Sequence, residues 1–193
     1  MQKSHFDIIV IGSGPAGEAA AMNTCKKGRS VAMICDLEAV GGSCTHLGTI
    51  PSKALRHSVK QVMQYNDNPL FRNFGDARKL SFQQILNHAN RVVYQQVRMR
   101  ADFYERNHIP VFKGRASFLD KKIIKLVGKR KKLTADHFII ATGSRPYHPP
   151  GVDFSNPRLF DSDTILNLDF SPRKVTVIGA GVIGCEYASI FGG

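Results

Sequence analysis

Residues 6–17 read FDIIVIGSGPAG, a short apolar run that passes directly into a glycine-rich turn. The run at 6–11 is rich in β-branched side chains and fits a buried parallel strand. The glycines have the spacing G-x-G-x-x-G, at Gly12, Gly14 and Gly17. In that pattern one glycine makes the tight turn, one lets the backbone approach a pyrophosphate, and one permits close helix–strand packing. The stretch therefore predicts a strand, a phosphate-binding turn and the start of a helix.

The residues after this turn complete a βαβ unit. A helix is predicted over 16–27, Gly28 ends it, and a second apolar run follows at 30–35. The helix amino terminus offers unpaired N–H groups and the positive end of a dipole to a phosphate. A lone G-x-G-x-x-G is a weak signal, but with a strand and a helix around it the pattern indicates dinucleotide binding.

A second glycine-rich stretch, GGSCTHLGTIPSK, occupies residues 41–53. Its two leading glycines allow the backbone to come close to a ligand, and a single thiol, Cys44, follows them. Pro51 has the form of a helix start, which places Lys53 in the first turn. Taken alone, the stretch is also compatible with a helix-capping turn that happens to contain a cysteine.

This second stretch resembles the redox loop of the flavoprotein disulfide reductase family, in which a cysteine lies against the flavin ring. Members with a redox disulfide carry a second cysteine five residues after the first, where this chain has Thr49. The resemblance, with Thr49 in that place, implies an enzyme that moves hydride from NADPH to NAD⁺ through FAD. A disulfide beside the flavin would instead drain electrons toward thiol substrates.

Two alternatives to this function stay open. One is a disulfide oxidoreductase similar to dihydrolipoamide dehydrogenase, against which Thr49 counts. The other is a chain that binds FAD, or nothing, without catalysing a reaction.

Two later stretches agree with the resemblance. The apolar residues 137–140 lead into ATGSRP at 141–146, which resembles the segment where the family's chain leaves the flavin domain. A predicted strand at 174–178 leads into GAGVIGCE at 179–186, a second G-x-G-x-x-G that resembles the family's nicotinamide-dinucleotide domain. Two such fingerprints in one chain are typical of two-dinucleotide flavoenzymes. The resemblance covers essentially all 193 residues.

The resemblance implies an α/β fold. Its parts are an FAD-binding Rossmann-like doubly wound domain with an inserted helical segment and a β-meander, and the start of a second, NAD(P)-binding Rossmann-like domain. We predict the first segment of the FAD-binding domain at 1–146, a proline-marked linker at 147–173, and the beginning of the NAD(P)-binding domain at 174–193. Inserted helices are predicted at 52–65 and from an N-cap at Ser81 to 107.

The second domain is expected to be truncated. Full-length members of the family are homo-oligomers, and we expect this chain to lack their dimerisation domain. The apolar residues of the second fingerprint would then lack most of the surface that they are shaped to bury, namely Val175, Val177, Ile178, Val182, Ile183 and Ile190. We expect residues 174–193 to be mobile or folded back on the flavin domain, with NAD(P) not binding and the isolated chain inactive.

The resemblance also assigns roles by position. The candidate catalytic residues are Cys44, Lys53 and Glu186, with Lys53 close to the flavin and within ion-pair distance of Glu186. The candidate FAD-binding residues are Gly12, Gly14, Gly17, Cys35, Asp36, Gly41, Gly42, Cys44, Thr45, Lys53, Ala116, Thr142 and Gly143. The candidate NAD(P)-binding residues are Gly179, Gly181 and Gly184.

The end of the second strand departs from the family pattern. The acid expected to bind the adenosine ribose falls at Cys35, while carboxylates stand at Asp36 and Glu38. Successive strand residues point to opposite faces, so Asp36 cannot replace residue 35 unless the backbone shifts. We therefore expect a weakened ribose contact within an unchanged fold.

Charge and composition exclude several other classes. The net charge of +12 is concentrated at 113–132, where lysines surround Gly128 in a predicted hairpin turn. No aromatic side chains interleave with these lysines, which favours a solvated hairpin over a nucleic-acid surface. The 4 cysteines form no CxxC pair, so neither a zinc site nor a disulfide framework is predicted.

No apolar run approaches the roughly 18 residues of a membrane span, and no signal peptide is predicted at the start. We expect a cytoplasmic protein whose partners are nicotinamide dinucleotides, with no membrane and no nucleic acid among them.

Overall fold

The computed structural model describes residues 4–71 and 80–193. The chain divides into two compact units. The first unit comprises residues 1–45 and 95–144, and the second comprises residues 46–94 and 145–193. The boundaries predicted at residues 146 and 173 separate an FAD-binding region from an NAD(P)-binding region. They do not coincide with the two compact units, and they stay a prediction.

A six-stranded sheet forms the centre of the first unit. Its strands are β1 (His5–Ile11), β2 (Val31–Cys35), β3 (Val111–Lys113), β4 (Ala116–Asp120), β5 (Ile123–Leu126) and β6 (Lys132–Ile140). The strand order is β3-β2-β1-β6-β5-β4. The first four of these pair in parallel, whereas β4, β5 and β6 form an antiparallel meander. The predicted α/β fold with a β-meander is confirmed.

Helix α1 (Pro15–Lys26) connects the parallel strands β1 and β2. It ends where predicted, at Gly28, which has a φ of 71° and donates its N–H to Cys25 O at 2.9 Å. The neighbouring residues Ile9 and Val10 of β1 are both fully buried and belong to different apolar clusters. Because side chains alternate along a strand, the sheet is covered on both faces, as a parallel sheet requires.

The lysine-rich segment forms the predicted hairpin. Strands β5 and β6 pair antiparallel, with Lys125 opposite Lys132, and Gly128 lies in the turn with a φ of 74°. The residues from 127 to 130 are exposed, so the charges of this turn are solvated.

Four further helices complete the architecture. They are α2 (Gly42–His46), α3 (Thr49–Asp67), α4 (Phe82–Arg106) and α5 (Val182–Phe191), with short 3-10 helices at Pro69–Phe71 and Thr164–Asn167. The predicted cap of α4 is confirmed: Gln84 donates its N–H to Ser81 Oγ at 3.3 Å, and Ser81 donates its N–H to Gln84 Oε1 at 2.8 Å. This reciprocal pair is a capping box, which fixes where the helix begins.

The strand predicted at 174–178 is wrong. No strand is assigned there, and none of the described residues forms a ladder with this segment. A strand needs a neighbour to pair its N–H and C=O groups. Around this segment the apolar side chains are solvent-exposed, to 94% at Ile178 and 87% at Val182.

Ile190 corrects a second expectation about this region. It is only 4% exposed and packs in one apolar cluster with Leu55 and Val59 of α3. The expectation failed because α3 supplies an apolar surface for Ile190 within the second unit. α3 and α5 thus pack together inside the second unit, and folding back on the flavin domain stays a prediction.

No helix in residues 4–71 and 80–193 is long and apolar enough to cross a bilayer. Over the same residues, no cluster of three or more His, Cys, Asp or Glu side chains is arranged to hold a metal ion.

Candidate functional site

The first fingerprint forms a tight turn at the carboxyl end of β1. Gly12 has a φ of 108°, and a Cβ at this position would collide with the carbonyl oxygen of Ala141, which follows β6. Only glycine fits such a position. Ala141 in turn donates its N–H to Ile11 O at 2.8 Å. The turn is therefore built against the end of the neighbouring strand.

Helix α1 begins directly after this turn without a side-chain cap. Its N-cap is Gly14, Pro15 occupies the first helical position, and Glu18 donates its N–H to Gly14 O at 2.8 Å. The N–H groups of a first helical turn have no partner inside the helix. An uncapped start of this kind leaves them and the positive end of the helix dipole available to an anion.

The glycines of the second stretch pack against this turn, as their common assignment to FAD binding predicts. Gly42 has a φ of 62°, and a Cβ there would come within 2.6 Å of the Cα of Gly14. Gly41 donates its N–H to Ser13 O at 3.1 Å. Two stretches about thirty residues apart in the chain thus meet backbone to backbone.

Thr45 lies fully buried beside this contact. The hydroxyl oxygen Oγ1 is close to Gly41, and it has no hydrogen-bond partner among the described residues. A buried hydroxyl without a partner costs roughly 1–3 kcal/mol. The site therefore presents an unpaired donor and acceptor next to the uncapped helix.

Cys35 occupies the end of β2, beside the same turn. It is buried, and its Sγ accepts a hydrogen bond from Ser13 Oγ at 3.0 Å. The next residue, Asp36, is exposed, and Glu38 lies 3.9 Å from Lys113 Nζ. Cys35 is buried and Asp36 is exposed, as expected if the two side chains point to opposite faces. The thiol is already engaged with Ser13.

Three further candidates belong to the first unit. Thr142 and Gly143 follow β6 and are exposed. Ala116 begins β4 two residues after Gly114, whose N–H donates to Cys35 O at 2.7 Å. The contacts join Gly12 to Thr142 and Gly14 to Gly42, and the role of these residues in FAD binding stays a prediction.

Lys53 and Glu186 are in contact within the second unit, as predicted. Lys53 Nζ lies 2.6 Å from Glu186 Oε1, and Ser52 Oγ donates to Glu186 Oε2 at 3.1 Å. The lysine side chain is 64% exposed and the glutamate 18%. A pair as open as this stabilises a fold by only about 0–1 kcal/mol. The contact with Glu186 places the Lys53 ammonium rather than stabilising the fold.

The pair is supported by packing between the two helices that carry it. Leu55 and Val59 of α3 lie in one apolar cluster with Tyr187 and Ile190 of α5. At the start of α5 the second fingerprint repeats the turn of the first. Gly179 has a φ of 126°, Gly181 is the N-cap, and no side chain caps the helix.

Cys44 is a free, partly buried thiol in α2. Thr49, at the position of the family's second cysteine, is the first residue of α3. Cys25, Cys35, Cys44 and Cys185 form no disulfide in the structure.

Sequence reasoning missed two polar residues of α4. Arg100 Nε lies 3.1 Å from Oε2 of Glu18, in the first turn of α1, and Tyr104 is buried nearby. Burial, together with the charge of Glu18, raises the pKa of Tyr104 far above its usual range. The signal that could have revealed them is their four-residue spacing, which places both on one side of a helix.

Two titratable groups stand out in the second unit. Burial would raise the pKa of Asp161, but hydrogen bonds with His148, Thr164 and Asp163 outweigh it and lower the pKa to about 2. Burial, reinforced by the charges of Glu186 and Asp163, raises the pKa of Tyr187 to about 12. The Tyr187 hydroxyl donates to Ser162 O at 3.1 Å.

Comparisons with known proteins agree with this geometry. The family Pyr_redox_2, described as pyridine nucleotide-disulphide oxidoreductase, matches residues 6–193. Proteins named soluble pyridine nucleotide transhydrogenase, from Pseudomonas putida and from Azotobacter vinelandii, are each 58% identical over 192 residues. Each alignment covers 98% of this chain and 41% of the relative, so the chain spans about two fifths of these relatives' length.

A solved structure also matches most of the chain. It is the HOCl-induced flavoprotein disulfide reductase RclA from Escherichia coli, with a TM-score of 0.81 and 27% sequence identity. The match covers 96% of this chain and 39% of that one.

These matches imply FAD as the cofactor, and the residues present fit it. Gly12 and Gly42 stand too close to neighbouring backbone for any side chain, and the uncapped α1 suits an anionic pyrophosphate. The unpaired Thr45 Oγ1 suits a polar ligand.

Proposed function

Because the chain belongs to the pyridine nucleotide-disulphide oxidoreductase family, we propose that its protein transfers hydride between NADPH and NAD⁺ by way of FAD. The observation that carries this choice within the family is the lone thiol of Cys44, with Thr49 where a disulfide reductase has its second cysteine. The names of the relatives from Pseudomonas and Azotobacter support the same choice.

Bound FAD supplies a centre that accepts hydride from one nicotinamide and returns it to another. The chain's own residues bind and orient it. We assign the pyrophosphate to Gly12, Gly14, Gly17 and the start of α1, where unpaired N–H groups and the helix dipole favour negative charge. Thr45 supplies a hydrogen bond from a buried position.

Lys53 and Cys44 take the roles nearest the chemistry in this proposal. Glu186 Oε1 lies 2.6 Å from Lys53 Nζ, and Glu186 Oε2 accepts a hydrogen bond from Ser52 Oγ at 3.1 Å. We assign to the Lys53 ammonium the stabilisation of negative charge on the reduced flavin. Cys44 lines the flavin side as a thiol that has no partner for a disulfide. Gly179, Gly181 and Gly184 are assigned to the nicotinamide dinucleotide, and the domain boundaries at 146 and 173 belong to the same proposal.

The first test is spectroscopic. The purified chain, supplied with FAD and desalted, should retain flavin bands in its visible spectrum. Thiol titration of the unfolded chain should give equal counts before and after reduction. Thr49→Cys should add a pair of thiols that appears only on reduction, if the loop has the family's geometry. A gain of two thiols on reducing the wild-type chain would contradict the proposal.

A second candidate, flavin binding without turnover, is favoured for the 193-residue chain by one observation. Residues 174–178 form no strand, and Ile178 and Val182 are almost fully exposed. A nucleotide-binding sheet requires strands that are paired and covered. We propose that this chain alone does not bind NAD(P) measurably and does not carry hydride from NADPH to an NAD⁺ analogue.

This second candidate is tested by assay and by limited proteolysis. The chain should show no transhydrogenation with FAD in excess, and proteases should cut first between Tyr147 and Lys174. Detectable transhydrogenation would mean that a second chain completes the nucleotide-binding sheet. A cytoplasmic location is also proposed, and fractionation of cells that express the protein would test it.

A further inference from the structure

A half-buried ion pair joins α4 to the first turn of α1 inside the first unit. Arg100 Nε lies 3.1 Å from Glu18 Oε2, and the two side chains are 14% and 24% exposed. Arg100 also donates from Nη1 to Gln96 Oε1 at 2.8 Å and to Gln96 O at 3.1 Å. The guanidinium is thus held in place by its own helix before it meets the carboxylate.

The position of Glu18 creates an electrostatic conflict. Its N–H donates to Gly14 O, so it stands one turn from the N-cap where the pyrophosphate is proposed to bind. A carboxylate this close to a diphosphate repels it, and low solvent exposure strengthens the repulsion. Helix dipole and exposed N–H groups attract the anion while this side chain opposes it.

Arg100 resolves the conflict by charge rather than by an aligned hydrogen bond. Among the described residues, Glu18 Oε2 has no hydrogen-bond partner, and neither has the hydroxyl of the neighbouring Tyr104. The guanidinium is therefore the group that neutralises this carboxylate oxygen. Removing it would leave a half-buried negative charge beside the anion site.

We infer that Arg100 is a positioning residue for the cofactor diphosphate, because it cancels the charge of Glu18 and keeps the first turn of α1 attractive to an anion. The inference rests on the proposed function, since it requires FAD at the first fingerprint. It assigns to α4 a part in cofactor binding that does not need contact with the cofactor.

The test compares flavin affinities of charge variants in the full 193-residue chain. Dissociation constants are measured by quenching of FAD fluorescence, with far-UV circular dichroism to confirm folding. Arg100→Gln should weaken FAD binding by on the order of tenfold. The double variant Glu18→Gln/Arg100→Gln should return to within about twofold of the wild type. Rescue of this kind separates charge compensation from packing, because a structural role would make the double variant at least as weak.

Arg106→Gln is the matched control. It removes the same charge from an exposed site on the same helix and should leave the dissociation constant within about twofold of the wild type. If Arg100→Gln does not fold, Glu18→Gln alone decides: removing the carboxylate should keep or tighten FAD binding.

Three results would overturn the inference alone: no rescue in the double variant, equal effects of Arg100→Gln and Arg106→Gln, or weaker binding by Glu18→Gln. A wild-type chain that binds no FAD would overturn the proposed function and this inference with it.

Discussion

The two glycine fingerprints of this chain have the same spacing but different surroundings. At the first, β1 is paired on both sides, and Ile9 and Val10 are fully buried. At the second, residues 174–178 form no strand and Ile178 is 94% exposed, yet the turn at Gly179 and the start of α5 are present. The motif therefore specifies the turn and the helix start by local geometry. The strand before it depends on neighbours.

The largest expected effect is at Gly12. Gly12→Ala should destabilise the first unit by on the order of 3–5 kcal/mol and abolish FAD binding, because its Cβ would collide with Ala141 O at a strained φ. Gly179→Ala is the matched change in the second fingerprint. No atom lies within 4 Å of its Cβ, so only backbone strain of about 1–2 kcal/mol is expected. Urea unfolding measures the stability of both variants, and flavin titration measures their affinity for FAD. Equal losses of stability in Gly12→Ala and Gly179→Ala would show that the two fingerprints do not differ in their surroundings.

Cys35 sharpens the comparison, since it ends the second strand of the first fingerprint's βαβ unit, where the resemblance predicts a ribose-binding acid. Cys35→Glu should tighten FAD binding about tenfold or more, as a hydrogen bond to a carboxylate is worth roughly 1.5–3 kcal/mol. Cys35→Ser controls for loss of the thiol and should bind like the wild type. Equal affinity of the Glu variant and the wild type would show that Asp36 or Glu38 already serves the ribose.

The hydrogen bonds that Asp161 accepts in the second unit predict a loss of stability at acid pH. Because its folded pKa is lowered from 3.8 to about 2, its stabilising contribution is present above pH 4 and is lost as pH falls toward 2. Asp161→Asn should flatten that loss in urea midpoints measured between pH 5 and 2. The exposed Asp169→Asn should keep the wild-type slope, and identical profiles for all three proteins would count against the assignment.

The smallest expected effect on stability is that of Tyr187, and it falls at alkaline pH. Its folded pKa is raised to about 12, so its contribution is complete below pH 10 and is lost as pH rises from 10 to 12. Tyr187→Phe removes the hydrogen bond to Ser162 O and should cost about 1 kcal/mol at pH 7. The variant should also unfold with less pH dependence above pH 10. An unchanged alkaline profile would assign that loss to other groups.

Elements with local signals were predictable from the sequence. The start of α1, the Ser81 cap and the turn at Gly128 each depend mainly on residues that are near in the chain. The Lys53–Glu186 contact was reached through family resemblance and is confirmed.

The failures have a common physical cause. The strand at 174–178, the burial of Ile190 and the Glu18–Arg100 pair all depend on what distant segments place beside them. An apolar run forms a strand only where a second strand pairs with its N–H and C=O groups. Arg100 and Tyr104 lie on a helix whose apolar stripe is typical of core packing, and their four-residue spacing does not say which distant residue they meet.

The buried hydroxyl of Thr45 predicts that the abundance of this protein in a cell depends on the concentration of flavin. Thr45 Oγ1 has no hydrogen-bond partner among the described residues, and the proposed function assigns it one from bound FAD. A ligand that binds only the folded state adds about 2.7 kcal/mol at a hundredfold excess over its dissociation constant. In a cell, proteases remove chains in proportion to their unfolded fraction. The abundance of this protein should therefore follow flavin availability, with freshly synthesised chains degraded fastest when flavin is scarce.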